Sequence, residues 1–206
     1  MATIDQIFVT KLYRASLLRR DAAAFTTELK AACLGIAADD RAGQAWSKAH
    51  GYKGYTSYGS LNDLTWRDPV FAALQEHLDS HVAAYVAELD YDLAGRKVEL
   101  DSLWINILKP GGVHTGHIHP HSVISGTTYV DMPEGAAALK LEDPRLALMM
   151  AQPARKVRAS PENRSFITVE PKAGQVILWE SWLRHEVPMH QGKADRISVS
   201  FNYRWG

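Results

Sequence analysis

The sequence predicts a mainly β protein, a sandwich or barrel, that follows a helical first part. From about Val98 onward, short runs of β-branched and aromatic residues follow one another, separated by Gly, Pro and Asp. No helical periodicity lies between these runs, and closely spaced short strands of this kind are typical of a sandwich or barrel. The residues before Val98 instead show the three-and-four spacing of helices. We therefore expect one domain over residues 1–206, mostly helical over 1–97, with its β core over 98–206.

Length and composition indicate an ordinary globular protein. The chain has 206 residues, of which 46% are hydrophobic and 22% charged, which suits one full hydrophobic core. Lys plus Arg and Asp plus Glu both number 23, so the bulk charge favours neither nucleic acid nor an anionic membrane as a partner. The single cysteine, Cys33, excludes an internal disulfide and indicates a reducing compartment. With no signal peptide or membrane-spanning run in the sequence, we expect a cytoplasmic protein; the oligomeric state stays open.

The first part of the chain carries two predicted helices. Ile7 to Leu18 mixes β-branched and apolar residues and suggests a lead-in strand, and Asp21 is a candidate N-cap for a helix over 22–35. The segment GYKGYTSYG at residues 51–59 is expected to be a loop. The clearest helix follows a cap at Asp68. Its apolar residues recur three and four apart: Phe71, Leu74, Leu78, Val82, Tyr85 and Leu89.

Two histidines on this second helix, His77 and His81, are four residues apart and can in principle chelate a metal. The sequence HLDSH lacks the glutamate of a zinc-protease helix, and His81 falls inside the apolar stripe. We therefore interpret them as packed or surface histidines.

The predicted strands of the second part lie in the runs LDSLWINIL, VISGTTYVDM, AALKLE, SFITVE, QVILWESW and DRISVSFNYRW. The longest irregular stretch, residues 143–165, is expected to be a surface loop, and such loops often form a lid over an active site. Its basic residues can attract an acidic substrate, although a solvated loop is the simpler interpretation. They are Arg145, Arg155, Lys156 and Arg158.

Four histidines lie within eight positions in the segment PGGVHTGHIHPH. Side chains two apart on a strand point to the same face, so His117 and His119 can aim at one metal. His114 has the opposite parity and is assigned to the loop, and His121 follows a proline at which we expect the chain to bend. Neutral imidazole suits Fe(II), Zn, Ni and Cu. A surface loop that binds adventitious metal is the alternative.

A second segment, GQVILWESWLRHEVPMH, places His185 after an apolar strand and a Ser-Trp turn. A return strand begins eleven residues later with Arg196. A guanidinium at this position is well shaped to hold the far carboxylate of a dicarboxylic acid through two hydrogen bonds, and Ser198, of the same parity, can add a hydroxyl. The alternative for Arg196 is a strand-end surface charge paired with Asp195.

This combination resembles the Fe(II)/2-oxoglutarate-dependent dioxygenase superfamily. The phrases HIHPHSVISGTTYVDMP, LEDPR, GQVILWESWLRHEV and RISVSFN, in this order, are similar to those of small bacterial members of it, the putative 2OG-Fe(II) oxygenases. The segment from Trp104 to Asn106 also fits, and the resemblance is strongest over residues 100–203. It implies a double-stranded β-helix, the jelly roll shared with cupins, with flanking helices.

Carried onto this sequence, the resemblance implies a catalytic Fe(II) bound by His117, His119 and His185 and 2-oxoglutarate anchored by Arg196. Further contacts to 2-oxoglutarate are implied for Ser198 and Asn106 and for one or the other of Tyr129 and Thr128. The implied reaction is hydroxylation of an unidentified small molecule or peptide, with release of succinate and CO2. Trp104, Trp179 and Trp182 are candidates for the pocket wall, and Trp179, inside an apolar strand, suits the core better.

One position departs from the pattern, because the superfamily's usual triad has a carboxylate where this sequence has His119. Three histidines leave the Fe(II) site one negative charge short. Asp143 and Glu180 are candidates for a missing carboxylate, although their spacing places neither at the metal. Two other functions therefore stay open. One is a cupin-like metal-dependent dioxygenase or isomerase that does not use 2-oxoglutarate, and the other is a non-enzymatic metal-binding module.

Overall fold

Two antiparallel sheets face each other in the computed structural model, which describes residues 1–18 and 20–206. The strands are β1 (Tyr13–Ser16), β2 (Gly54–Thr56), β3 (Val98–Leu108), β4 (His114–His117), β5 (Ile124–Asp131), β6 (Leu139–Glu142), β7 (Phe166–Val169), β8 (Gln175–Glu180), β9 (His185–Val187) and β10 (Arg196–Trp205). The helices are α1 (Ala22–Asp39), α2 (Arg41–Ala49), α3 (Leu64–Arg67) and α4 (Pro69–Glu88).

The larger sheet has the strand order β1-β8-β5-β10-β3-β2 and the smaller sheet the order β4-β9-β6-β7. Consecutive strands alternate between the two sheets from β3 to β6 and again from β7 to β10, as in a double-stranded β-helix. The predicted mainly β fold with flanking helices is therefore confirmed.

Alternation along β10 shows how the strands divide the molecule into two layers. Ile197, Val199 and Phe201 are buried against the helices, in a core that also contains residues of α1 and α4. Ser198 and Ser200 point the other way, into the space between the sheets. Period-two alternation thus makes one face of the larger sheet apolar and the other polar.

The second predicted helix is confirmed as α4. The carboxylate of Asp68 accepts a hydrogen bond from the backbone N–H of Val70 at 3.0 Å, and Pro69 occupies the first turn. Its apolar residues are buried from Phe71 to Tyr85. His81 bonds to the Tyr13 hydroxyl at 2.8 Å, so it is a packing histidine, as expected.

The first helix begins at Ala22, as predicted, but its cap and its end differ from the prediction. It continues to Asp39, and the side chain of Asp21 makes no capping bond because its backbone is left-handed, with φ of 54°. A second helix, α2, starts directly after Asp40, whose carboxylate accepts from the backbone N–H of Gly43 at 2.9 Å. The sequence did not predict this second helix.

The segment 51–59 is not entirely a loop, because it contains β2. This strand pairs with β3 through the register of Gly54 with Leu108. A side chain at Gly54 would collide with the backbone carbonyl of Ile107, and its φ of 145° also requires glycine. The lead-in strand predicted over residues 7–18 is limited to β1. Within the described part of the chain, no helix combines the length and hydrophobicity needed to cross a membrane.

Candidate active site

A cavity of about 590 Å³ lies between the two sheets. Its floor is the inner face of three neighbouring strands, with β10 between β3 and β5. Cross-strand register sets polar residues side by side in three rows. The rows are Asn106, Ser198 and Tyr129; Trp104, Ser200 and Thr127; and Ser102, Asn202 and Ser125.

Hydrogen bonds tie the middle of this floor together. The Ser200 hydroxyl lies 2.9 Å from the Thr127 hydroxyl and accepts from the side-chain amide of Asn106 at 3.1 Å. The amide oxygen of Asn106 in turn accepts from the Thr56 hydroxyl at 3.0 Å. A satisfied buried network of this kind holds its side chains in place. Asn106 therefore lines the cavity with its amide already engaged by the protein, and its contact to 2-oxoglutarate stays a prediction.

Three predicted ligands, His117, His119 and His185, meet at the cavity wall. Strand β4 ends at His117, so the expectation that both histidines of the pair lie on one strand is wrong. The backbone N–H of His119 instead donates to the carbonyl of Ser181 at 3.0 Å, which brings its ring beside the others. His185 opens β9 directly opposite His117.

The geometry of the three imidazoles fits one metal ion. One ring nitrogen from each residue lies within 4.8 Å of the others. The Nε2 atoms of His119 and His185 are 3.2 Å apart. Two nitrogens bound at about 2.1 Å and at a right angle would be about 3.0 Å apart, so this spacing suits adjacent positions on one ion. Imidazole is a suitable ligand for Fe(II).

Two of the rings have their proton position fixed by the backbone. Nδ1 of His117 lies 2.7 Å from the carbonyl of Thr115, and Nδ1 of His185 lies 2.9 Å from the carbonyl of Leu183. A carbonyl only accepts, so Nδ1 carries the hydrogen in both rings and the Nε2 lone pair is free for a metal. Burial lowers the pKa of His185 to about 3, which keeps this ligand neutral.

His119 has a different partner. Its Nδ1 lies 3.3 Å from the side-chain nitrogen of Asn202, and the amide oxygen of Asn202 accepts from Ser125 at 2.8 Å. Metal binding through Nε2 requires a hydrogen on Nδ1. A half-turn of the Asn202 amide would supply the acceptor that this hydrogen needs, since the two ends of an amide are nearly the same in shape.

No carboxylate joins the three histidines among the described residues. Asp143 is held by Arg145, at 2.9 Å between its Oδ2 and the guanidinium. Glu180 accepts from the Tyr91 hydroxyl at 2.6 Å. Neither carboxylate lines the cavity. The centre is therefore a three-histidine set without the negative charge of the usual triad.

Arg196 lies at the far end of the cavity and is only 2% exposed. Its Nε donates to the carbonyl of Ala137 at 3.2 Å and its Nη1 to the hydroxyl of Ser198 at 3.1 Å. Among residues 1–18 and 20–206, no carboxylate forms an ion pair with it, so pairing with Asp195 is excluded. A buried cation without a counter-ion is costly, and it marks a place where an anion fits.

Two tyrosines add to this end of the cavity. The hydroxyl of Tyr129 is buried and finds no hydrogen-bond partner in the part of the chain that the structure describes, and its ring lies 5.2 Å from the guanidinium carbon of Arg196. Burial raises the pKa of Tyr129 to about 12, so it is a hydrogen-bond donor. The Tyr52 hydroxyl lies 2.8 Å from Nε2 of His114, and both residues line the cavity. The sequence did not indicate Tyr52, and it assigned His114 to the loop, whereas His114 begins β4.

Some predicted contacts are not at the site. Thr128 faces away from the cavity and donates to the carbonyl of Gln175 at 3.2 Å, so its predicted contact to a co-substrate is wrong; its neighbour Thr127 faces inward.

Trp182 is 45% exposed and does not line the cavity. Trp104 and Trp179 do line it, and Trp179 also belongs to the core between the sheets. Nor does any residue of 143–165, the predicted lid, line the cavity.

Comparison with known proteins agrees with this geometry. A family model described as "Putative 2OG-Fe(II) oxygenase" matches residues 102–202, the part of the chain that contains the three histidines and the buried arginine. No curated protein matches the sequence.

Solved structures share the fold at low sequence identity. The epimerase SnoN, in complex with Fe3+, alpha ketoglutarate and nogalamycin RO, is 14% identical, with a TM-score of 0.64 over 95% of this chain and 79% of its own. HygX from Streptomyces hygroscopicus, with nickel and 2-oxoglutarate bound, is 15% identical, with a TM-score of 0.57 over 95% and 82%. A prolyl-4-hydroxylase from Pseudomonas putida is 14% identical, with a TM-score of 0.53 over 95% and 88%.

Proposed function

The chain belongs, through residues 102–202, to the family of putative 2OG-Fe(II) oxygenases, and on that premise we propose that it hydroxylates its substrate with one Fe(II) and 2-oxoglutarate. The balanced reaction takes substrate, dioxygen and 2-oxoglutarate to hydroxylated substrate, succinate and CO2. Fe(II) on His117, His119 and His185 would supply the oxidative chemistry, and the protein supplies binding and orientation.

The observation that carries the proposal is the pairing of two features in one cavity. One is a set of three imidazoles that each bring one ring nitrogen within 4.8 Å of the others, and the other is a buried guanidinium that forms no ion pair with a carboxylate of the described residues. A metal-binding module needs only the first feature. A co-substrate with a remote carboxylate needs both.

The chain's own residues define how 2-oxoglutarate would be held. The guanidinium of Arg196 would bind the far carboxylate, with Ser198 beside it. The unpartnered hydroxyl of Tyr129 would donate to the same carboxylate, which would satisfy a buried polar atom. Fixed groups of this kind place the keto acid before it reacts, which lowers the entropic cost of the reaction.

We also propose that the helical part and the β part act as one domain over residues 1–206. Leu29 of α1 and Phe71 of α4 are buried in the same core as Ile105 of β3 and Val199 of β10. The helices thus support the outer face of the sheet whose inner face carries the site.

An anaerobic binding experiment tests the proposal. Fe(II) and 2-oxoglutarate would be added to the protein without oxygen, and the visible charge-transfer band of a chelated keto acid would be recorded. We expect the band in the wild type and its loss in His117→Ala. The matched control is His121→Asn, which changes an exposed histidine outside the cavity and suits the left-handed backbone at that position, with φ of 71°.

Admitting oxygen then separates the alternatives. Succinate release that depends on His117 supports the proposed reaction. Stoichiometric iron binding with neither the band nor succinate would refute it. If oxygen or a substrate is still consumed in that case, the protein would be a metal-dependent dioxygenase or isomerase that does not use 2-oxoglutarate. If neither is consumed, it would be a metal-binding module.

A further inference from the structure

The end of the cavity away from Arg196 has an aromatic wall. Trp46 of α2 contacts Tyr58 with ring centroids 6.2 Å apart, and Tyr58 contacts Trp104 at 5.3 Å. Trp104 in turn lies 5.9 Å from the ring of His119. Tyr58 is 60% exposed, whereas Trp104 is 8% exposed, so the wall runs from the surface down to the histidine set. Trp46 is itself stacked on His50, with ring centroids 4.0 Å apart, so Tyr58 and Trp104 are the rings of this wall that can meet a ligand, and aromatic rings attract cations.

A β-bulge adds one carboxylate to this end. In the pairing of β3 with β10, Ser102 lies opposite Asn202 and Leu100 opposite Tyr203, so Asp101 has no partner on β10. Strict alternation would turn Asp101 away from the cavity that Ser102 faces. Because the bulge breaks the alternation, both residues line the cavity.

The charges of the cavity are therefore separated along its length. Among the described residues that line it, histidines aside, Arg196 and Asp101 are the charged ones. Arg196 lies opposite Leu108 and Asp101 lies next to Ser102, so about six residues of strand, or roughly 20 Å, separate them. The basic residues of 143–165 line no part of the cavity. This arrangement does not suit the acidic substrate considered from the sequence.

We infer that the aromatic wall and Asp101 together bind a positively charged amine of a small-molecule substrate. The identification of this amine with the substrate rests on the proposed oxygenase function. Asp101 has a loose partner in Arg204, at 3.7 Å between side chains that are 40% and 59% exposed. Such an exposed pair contributes little, so a cation in the cavity can replace it.

Choline and its neutral isostere 3,3-dimethylbutan-1-ol make a direct test, because they differ in charge and hardly in shape. Binding of each to the full chain, with no metal or 2-oxoglutarate added, would be measured by calorimetry or by saturation-transfer NMR. We expect choline to bind at least about fivefold more tightly than the alcohol. Equal binding of the two, or no binding of choline, would overturn the inference.

Variants locate the binding. Asp101→Asn and Tyr58→Leu should each weaken choline binding by about fivefold, and Arg204→Gln should strengthen it because a competing cation is removed. The controls are Asp5→Asn, an exposed aspartate outside the cavity, and Trp66→Leu, which changes a ring that is 90% exposed and also outside it. Unchanged choline binding in both Asp101→Asn and Tyr58→Leu would refute the inference. Since the assay contains neither iron nor 2-oxoglutarate, its outcome is independent of the charge-transfer experiment, and either proposal can fail alone.

Discussion

Replacing Arg196 by methionine removes a buried charge while keeping a side chain of similar length. In the free protein, this guanidinium donates to the carbonyl of Ala137 and to Ser198 and has no carboxylate partner among the described residues. Loss of these two hydrogen bonds costs about 1 kcal/mol each. Removal of an unpaired buried cation offsets that cost, so the free energy of unfolding of the ligand-free protein should change by less than about 2 kcal/mol.

The effect on 2-oxoglutarate should be much larger. Removing one partner of a buried, hydrogen-bonded charge pair costs about 2 to 5 kcal/mol of binding free energy. The dissociation constant of 2-oxoglutarate should therefore rise by about 30-fold to several thousandfold. Arg196→Lys keeps the charge but loses the two-pronged geometry of the guanidinium, so its dissociation constant should lie between those of the wild type and Arg196→Met.

Thermal unfolding measures both effects. With Zn(II) in the histidine set and 2-oxoglutarate at about 100 times its dissociation constant, the wild type should gain about 2.7 kcal/mol. For a chain of 206 residues this corresponds to about 5 to 11 °C in Tm. At the same concentration, a variant that binds 100-fold more weakly should gain about 0.4 kcal/mol, or about 1 °C. A full shift in Arg196→Met would refute the role of Arg196 as the carboxylate anchor.

Three further predictions concern neighbouring groups. Asn202→Leu should weaken Zn(II) binding by about 10- to 100-fold, because it removes the amide that orients His119; unchanged affinity in a calorimetric titration would contradict this. Burial lowers the pKa of His114 to about 3 from 6.5, so the unfolded chain binds more protons and stability falls as pH decreases below about 6.5. The Tm of the metal-free wild type should therefore decrease more between pH 7.5 and 5 than that of His114→Asn, and equal decreases would count against this assignment. Thr127→Val should weaken 2-oxoglutarate binding by about fivefold, through the hydrogen bond lost from the cavity floor, whereas Thr128→Val should leave it unchanged in the same titration.

Much of the fold was predictable from local patterns. The strands β5, β8 and β10 lie within the predicted runs, and α4 begins at its predicted cap, because period-two alternation and the Asp-Pro start are properties of adjacent residues. The short elements were missed. Helix α2 depends on the cap at Asp40, and strand β2 on pairing with β3, about fifty residues away in sequence.

The residues with metal-ligand chemistry were also visible in the sequence. Histidine is a distinctive ligand, and the resemblance to the 2OG-Fe(II) oxygenases implied the set of His117, His119 and His185 that the structure brings together. The sequence did not indicate Tyr52, because an aromatic residue in a Gly-rich segment can have many roles. None of the neighbouring residues in the sequence shows that its hydroxyl contacts His114.

By itself, the sequence determined the types of groups available and the approximate order of strands, since these follow from side-chain chemistry and short-range periodicity. Only the tertiary structure decided which of Thr127 and Thr128 faces the cavity, because a shift of one residue in register reverses the faces of a strand. It also decided that Arg196 pairs with no carboxylate of the described residues and that Asp101 lines the cavity because of a bulge. These facts depend on contacts between strands far apart in the chain, and no local pattern records them.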